Sequence, residues 1–229
     1  MTNITEGSEN TFLMMANNLT HNPMLLSEPE YEPRDNVDNT VYDSENTERF
    51  TLNGRTLKME TDLQVIHYQS NMAAMIQLGN WFDYLRENGV YDNTRIIVVS
   101  DHGYDNNHLD DLVLEDGKDV SSYYPLLMVK DFDSEGFTTS DEFMTNADVP
   151  SLATKGVISA PLNPFSGTDL SDTHEKTAHD QYILCSDYWE VEINNGNKFL
   201  PGKWYSVHDD MRDPSNWKVV AENSELPTK

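Results

Sequence analysis

The sequence predicts an α/β chain, with strands flanked by helices and a small antiparallel sheet at the C-terminal end. Three observations carry this reading. A capped amphipathic stretch beginning at Thr61 runs into the β-branched segment Arg95-Ile96-Ile97-Val98-Val99-Ser100, and a helix that feeds a buried strand through a short turn is an α/β unit. A second apolar run, Pro125-Leu126-Leu127-Met128-Val129, reads as another strand of that sheet. From Gln181 onward, apolar and polar residues alternate between Asn/Gly turns, the period of half-buried strands. The expected partition is therefore a larger domain over residues 1–180 and a small antiparallel β subdomain over 181–229.

In chain order, Thr11 to Ala16 (TFLMMA) is a short apolar run between polar residues and reads as a buried strand. His21 to about Asn53 is rich in Pro, Asn, Asp and Glu and reads as a long surface loop with short helical turns. Thr61 with Gln64 fits a capping box. Val65, Tyr68, Met72, Met75, Phe82 and Leu85 recur at helical spacing and define one face, and Gly89 supplies a left-handed stop. Asp148 or Asn146 can cap a short helix that has Pro150 in its first turn. YILCSDYWEVEI, KFLPGKWYSV and NWKVV are the strand candidates of the terminal sheet.

Composition narrows the function. Forty Asp and Glu against 15 Lys and Arg give a net charge of −25, which repels phosphate backbones and disfavours nucleic-acid binding. Four Trp, eight Phe and eleven Tyr argue for a packed core. No apolar run approaches the ~18 residues of a membrane span, and the opening residues lack a signal-peptide pattern. The single cysteine, Cys185, excludes an internal disulfide and a multi-cysteine zinc site and reads as a small core residue.

Ser100-Asp101-His102-Gly103 follows directly on the strand Ile96 to Val99. Ligands of open α/β sheets bind beyond the carboxyl ends of strands. A carboxylate and an imidazole at that place, before a glycine that permits a tight turn, make half of a metal site. Asp suits hard cations and His suits zinc or manganese, so Mn, Ca, Mg and Zn all stay open. The alternative is that Asp101 caps a helix and His102 is incidental.

The stretch YDNTRIIVVSDHG, Tyr91 to Gly103, resembles the signature of the sulfatase and alkaline phosphatase superfamily, in which an Asn-Thr pair precedes a strand ending in Ser-Asp-His-Gly. Further stretches follow in family order over roughly residues 10 to 160. FLMMANNLTHNPMLLSEPEYEP resembles a strand and loop with a substrate-binding His, here His21. Asn107-His108 lies where related enzymes place another His. Tyr124 to Met128 resembles the family's Val-Pro-Leu strand, and ADVPSLA (147–153) its Asp-Leu-x-Pro-Thr-Leu helix. Within the superfamily the chain looks most similar to bacterial membrane-anchored sulfatase-like proteins of the lipoteichoic acid synthase type.

The resemblance implies part of an alkaline phosphatase-like sheet and a metal-assisted in-line displacement on a sulfate or phosphate ester. Asp101 and His102 would be metal ligands. His21 and His108 would bind the transferred group or protonate the leaving oxygen; for each, a solvent-exposed loop histidine is the alternative. In the family the nucleophile lies at a helix start well before the strand read here at Thr11 to Ala16. MTNITEGSEN carries no such segment, and Cys185 lacks the Cys-x-Pro-x-Arg context of sulfatases. The expectation is a fragment that needs an N-terminal segment of the same protein for activity, from an extracytoplasmic, membrane-anchored parent.

Other signals weigh less. DFDSEGFTTSDE, Asp131 to Glu142, approaches an EF-hand loop, but the preceding run reads as strand and position 8 is Thr138. His179-Asp180 and His208-Asp209 suggest a metal phosphodiesterase whose chemistry needs helices, whereas these segments read as loop and strand. Trp189, Trp204 and Trp217 read as cross-strand packing rather than a sugar platform. The competing function, from a different class, is a non-catalytic acidic surface module that binds calcium.

Overall fold

The computed structural model describes residues 4–7, 9–21, 23–169, 179–186, 188, 190–194, 196 and 199–222. It is a mixed α/β chain with one long helix and small sheets. The chain divides into two compact units: Met1–Ile96 with Asn106–Leu109 and Lys130–Glu135, and Ile97–Asp105 with Asp110–Val129 and Gly136–Lys229. Among the described residues no helix is long and apolar enough to cross a membrane.

The first unit is organised by its long helix. α1 spans Thr40–Glu45. β1 (Thr51–Leu52) and β2 (Arg55–Thr56) pair antiparallel across Asn53-Gly54, both at positive φ, the two-residue turn whose twist suits a hairpin. α2 covers Asp62–Glu87, and Thr61 and Gln64 form the reciprocal capping box read from sequence. Gly89, at φ +67°, follows its C-terminus as the left-handed stop.

Of the expected apolar stripe, Leu85 is buried and Tyr68 and Met72 are partly so, but most of the buried residues of α2 lie outside it. Gln64, Gln69, Ser70, Ala73 and Leu85 are buried, while Met75 is exposed. The polar members face a loop whose backbone needs partners. Gln69 Oε1 accepts from Leu26 N at 2.9 Å, and Ser70 Oγ accepts from Met24 N at 3.1 Å. Gln69 Nε2 donates to Glu28 Oε1 at 2.7 Å, and Arg49 Nε donates to Glu28 Oε2 at 2.8 Å. The stretch read as a surface loop thus contributes Leu26 and Tyr31 to a core with Ala73, flanked by Leu19, Tyr68 and Met72.

Thr11 to Ala16 departs from expectation. It forms no strand, and Phe12 and Met14 are 80% and 83% exposed. An apolar hexapeptide becomes a buried strand only where a sheet edge satisfies its backbone, and none is paired to it here.

The strands β3 (Ile96–Val99) and β4 (Leu127–Lys130) pair as a two-stranded sheet. A 3-10 turn at Asn146–Asp148 leads into α3, Val149–Thr154, with Pro150 in its first turn. β5 (Gln181–Cys185), β6 (Lys203–Val207) and β7 (Trp217–Glu222) form an antiparallel sheet in the order β5-β6-β7. Trp204 to Val207 on the central strand are all buried, as expected of a strand covered on both faces. Trp204 packs edge-on against Phe199, and Trp217 against Tyr205 and Tyr123, so both tryptophans are core residues. Trp189 lies outside the described residues. Cys185 is a half-buried free thiol at the end of β5.

Candidate metal-ligating turn

β3 ends at Val99, and the next four residues make a turn pinned by its backbone. Ser100 N donates to Leu126 O at 3.1 Å, and Leu126 N donates back to Ser100 Oγ at 2.7 Å. Gly103 N donates to Ser122 O at 2.9 Å. A side chain is impossible at Gly103 without rearrangement, because a Cβ there would lie 1.9 Å from Ser121 O and 2.9 Å from Tyr124 O. Asn146 Nδ2 donates to Ser100 O at 3.1 Å and to Asp101 O at 2.8 Å.

This frame presents Asp101 and His102 side by side in solvent, their side chains 86% and 62% exposed. Asp101 Oδ1 accepts from His102 N at 3.0 Å. His102 Nδ1 lies 2.5 Å from Gly103 O. A carbonyl only accepts, so Nδ1 carries the proton and Nε2 of the neutral ring keeps its lone pair. Metal-bound histidines commonly have this arrangement, with the far ring nitrogen donating to a carbonyl. His102 Nε2 and Asp101 Oδ2 are 3.6 Å apart, and two ligand atoms each about 2.1 Å from one ion can span up to about 4.2 Å. The pair fits a shared divalent cation. Among the described residues no group of three or more His, Cys, Asp or Glu side chains is placed to hold one; Asp101 and His102 alone would offer two ligands of about four.

The other expected residues fall in the first unit. His21 is exposed in a turn and donates its N–H to Asn18 O at 3.2 Å. His108 Nδ1 donates to Lys58 O at 2.9 Å, and Lys58 N donates to His108 O at 2.9 Å. Gln64 Nε2 donates to Asn106 O and Asn107 O at 2.9 and 3.2 Å. The His108 ring faces His67, centroid to centroid 6.5 Å. Burial first, then the charge on His108, holds the His67 imidazolium pKa below its ordinary value. His67 did not stand out in the sequence, since a histidine on an amphipathic helix carries no spacing signal.

Asp131, first in the EF-hand-like run, follows a strand rather than a helix. Its Oδ1 accepts from Arg95 Nε and Nη2 at 2.9 and 2.8 Å. His208 Nδ1 and Asp180 Oδ1 are 3.1 Å apart, between the residue before β5 and the residue after β6. Neither group lies on a helix. No protein-family model, curated protein or solved structure matches the chain.

Proposed function

We propose that the chain carries the metal-ligating turn of a metal-dependent sulfuric-ester hydrolase, or of a phosphoryl transferase of phosphoglycerol or phosphoethanolamine type. Its architecture would be an incomplete alkaline phosphatase-like sheet. The observation that supports this best is the state of the Ser100 to Gly103 turn. Its backbone is fixed by three separate segments, and it displays a carboxylate beside an imidazole whose Nε2 is free to ligate. The ion, when bound, would neutralise charge on the non-bridging oxygens of the ester and lower the pKa of an attacking group.

The chain's own contributions follow from its atoms. Asp101 would offset the cation's charge with its carboxylate. His102 would hold the ion through Nε2, with its tautomer held by Gly103 O. The reading assigns the nucleophile to an upstream segment of the parent protein and places that parent outside the cytoplasm, anchored to a membrane. His21 and His108 are its substrate-binding candidates.

The test is a Mn2+ titration of the chain followed by proton NMR. Broadening of the His102 ring signals before those of the other histidines, with a Kd on the order of 10⁻³ M for so few ligands, is the expected result. Asp101→Ala should abolish it. Uniform broadening of all histidines, unaffected by Asp101→Ala, would refute the assignment. A second reading, a calcium-binding acidic module, is favoured by the net charge of −25. It requires Ca2+ binding that survives Asp101→Ala and is lost when the Asp131 to Glu142 run is neutralised.

A further inference from the structure

We infer that Asn146 is a positioning residue for the Asp101–His102 pair, setting the orientation of the two ligands without touching the ion. The inference rests on the metal-turn reading above. A single amide nitrogen donates to two consecutive carbonyls, Ser100 O at 3.1 Å and Asp101 O at 2.8 Å. Fixing both carbonyls fixes the two peptide planes that flank Asp101, and hence the directions in which Asp101 and His102 leave the backbone. The ties at Leu126 and Ser122 hold only the ends of the turn, at Ser100 and Gly103. Among the described residues, the hydrogen bond to the backbone of Asp101 itself comes from Asn146.

Asn146 can do this because it is itself anchored. It opens the 3-10 turn Asn146–Asp148, which Thr145 and Asp148 close as a capping box. Asp148 is fully buried. Its Oδ2 accepts from Thr145 N at 2.8 Å and from Thr145 Oγ1 at 3.1 Å, and its Oδ1 accepts from Asn163 Nδ2 at 2.8 Å. A buried, fully engaged carboxylate thus holds the base of the turn from which the Asn146 amide reaches across 45 residues of sequence. Both ligand side chains are solvent-exposed, so little packing restrains them and backbone orientation carries most of their preorganisation. Residues that orient metal ligands typically change metal affinity by about 10- to 100-fold when removed.

The experiment compares wild type, Asn146→Ala and Asn146→Asp in the Mn2+ titration, with metal-free amide hydrogen exchange at His102 and Gly103 alongside. A carboxylate at 146 adds negative charge but cannot donate to a carbonyl. If Asn146 positions the turn, both variants bind Mn2+ roughly tenfold more weakly or worse. Both then also exchange faster at His102 and Gly103, while the melting temperature moves by a few degrees at most. Tighter binding in Asn146→Asp would show that position 146 acts by charge and would overturn the inference. Unchanged Mn2+ affinity in Asn146→Ala, with Asp101→Ala still abolishing binding, would overturn it and leave the metal reading standing. If wild type binds no Mn2+ at Asp101 and His102, the metal reading fails. The exchange rates alone then decide: acceleration in Asn146→Ala keeps Asn146 as the clamp of the turn, and unchanged rates remove that role too.

Discussion

Replacing Gly103 by Ala should destabilise the chain far more than removing a flexible residue would, because at this position the penalty is steric. A Cβ would stand 1.9 Å from Ser121 O, 2.9 Å from Tyr124 O and 3.0 Å from Ser121 C, all backbone atoms. Reaching even a 3.0 Å separation requires the Ser121 carbonyl to retreat by 1.1 Å. That carbonyl accepts from Tyr124 N at 3.1 Å, and Gly103 N donates to Ser122 O at 2.9 Å. Forced overpacking costs about 1–3 kcal/mol, and each weakened hydrogen bond adds about 1 kcal/mol. The expected loss is therefore about 3–5 kcal/mol, against a typical total stability of about 5–15 kcal/mol. Gly54→Ala is the control. Gly54 sits at φ +78° with nothing within 4 Å of a built Cβ, so only left-handed strain of about 1–2 kcal/mol applies. Urea unfolding of the three proteins measures both. A Gly103→Ala loss below about 1 kcal/mol, or one no larger than that of Gly54→Ala, would refute the claim that the turn closes against Ser121.

Three further outcomes are expected. Glu28→Ala leaves Arg49, whose side chain is 11% exposed beside the fully buried Glu28 carboxylate, without its main partner, so urea unfolding should register a loss of about 3–5 kcal/mol; Glu28→Gln should lose less. Because burial and His108 depress the pKa of His67, the unfolded chain takes up that proton first. Stability tied to this group is complete above about pH 6.5 and falls as the pH drops below it; His67→Gln should flatten that part of a urea-midpoint profile between about pH 7.5 and 5.5. A hydrogen bond from Lys203, then those from Tyr205 and Lys118 N, outweigh desolvation and hold the Asp116 carboxyl below its usual value of 3.8. The stability it adds is present above that value and is lost as acid drives the pH through the lower folded pKa, so Asp116→Asn should remove part of the acid-unfolding slope.

What the sequence disclosed and what it hid divide along one physical line. Features set by residues within a turn or two of each other were legible. Thr61 and Gln64 announce the start of α2, Gly89 its end, and Ile96 to Val99 a strand. Thr145 and Asp148 form the cap just ahead of α3, where sequence had offered Asn146 or Asp148. That Asp101 and His102 stand side by side was legible for the same reason, since they are consecutive residues after that strand. Features that need a distant partner were not legible. Gln69 and Ser70 lie outside the apolar stripe read from sequence, yet they are the most buried residues of α2, because the backbone N–H groups of Leu26 and Met24 need acceptors. Thr11 to Ala16 has the composition of a strand, but composition supplies no neighbouring sheet edge. Asn146 reads as a helix cap, yet its amide is spent on Ser100 and Asp101, far away in sequence. A buried or clasping polar side chain takes its role from whichever unsatisfied backbone group the fold brings to it. Such residues therefore follow no periodicity, and Asn146, which clasps the turn after β3, is one of them.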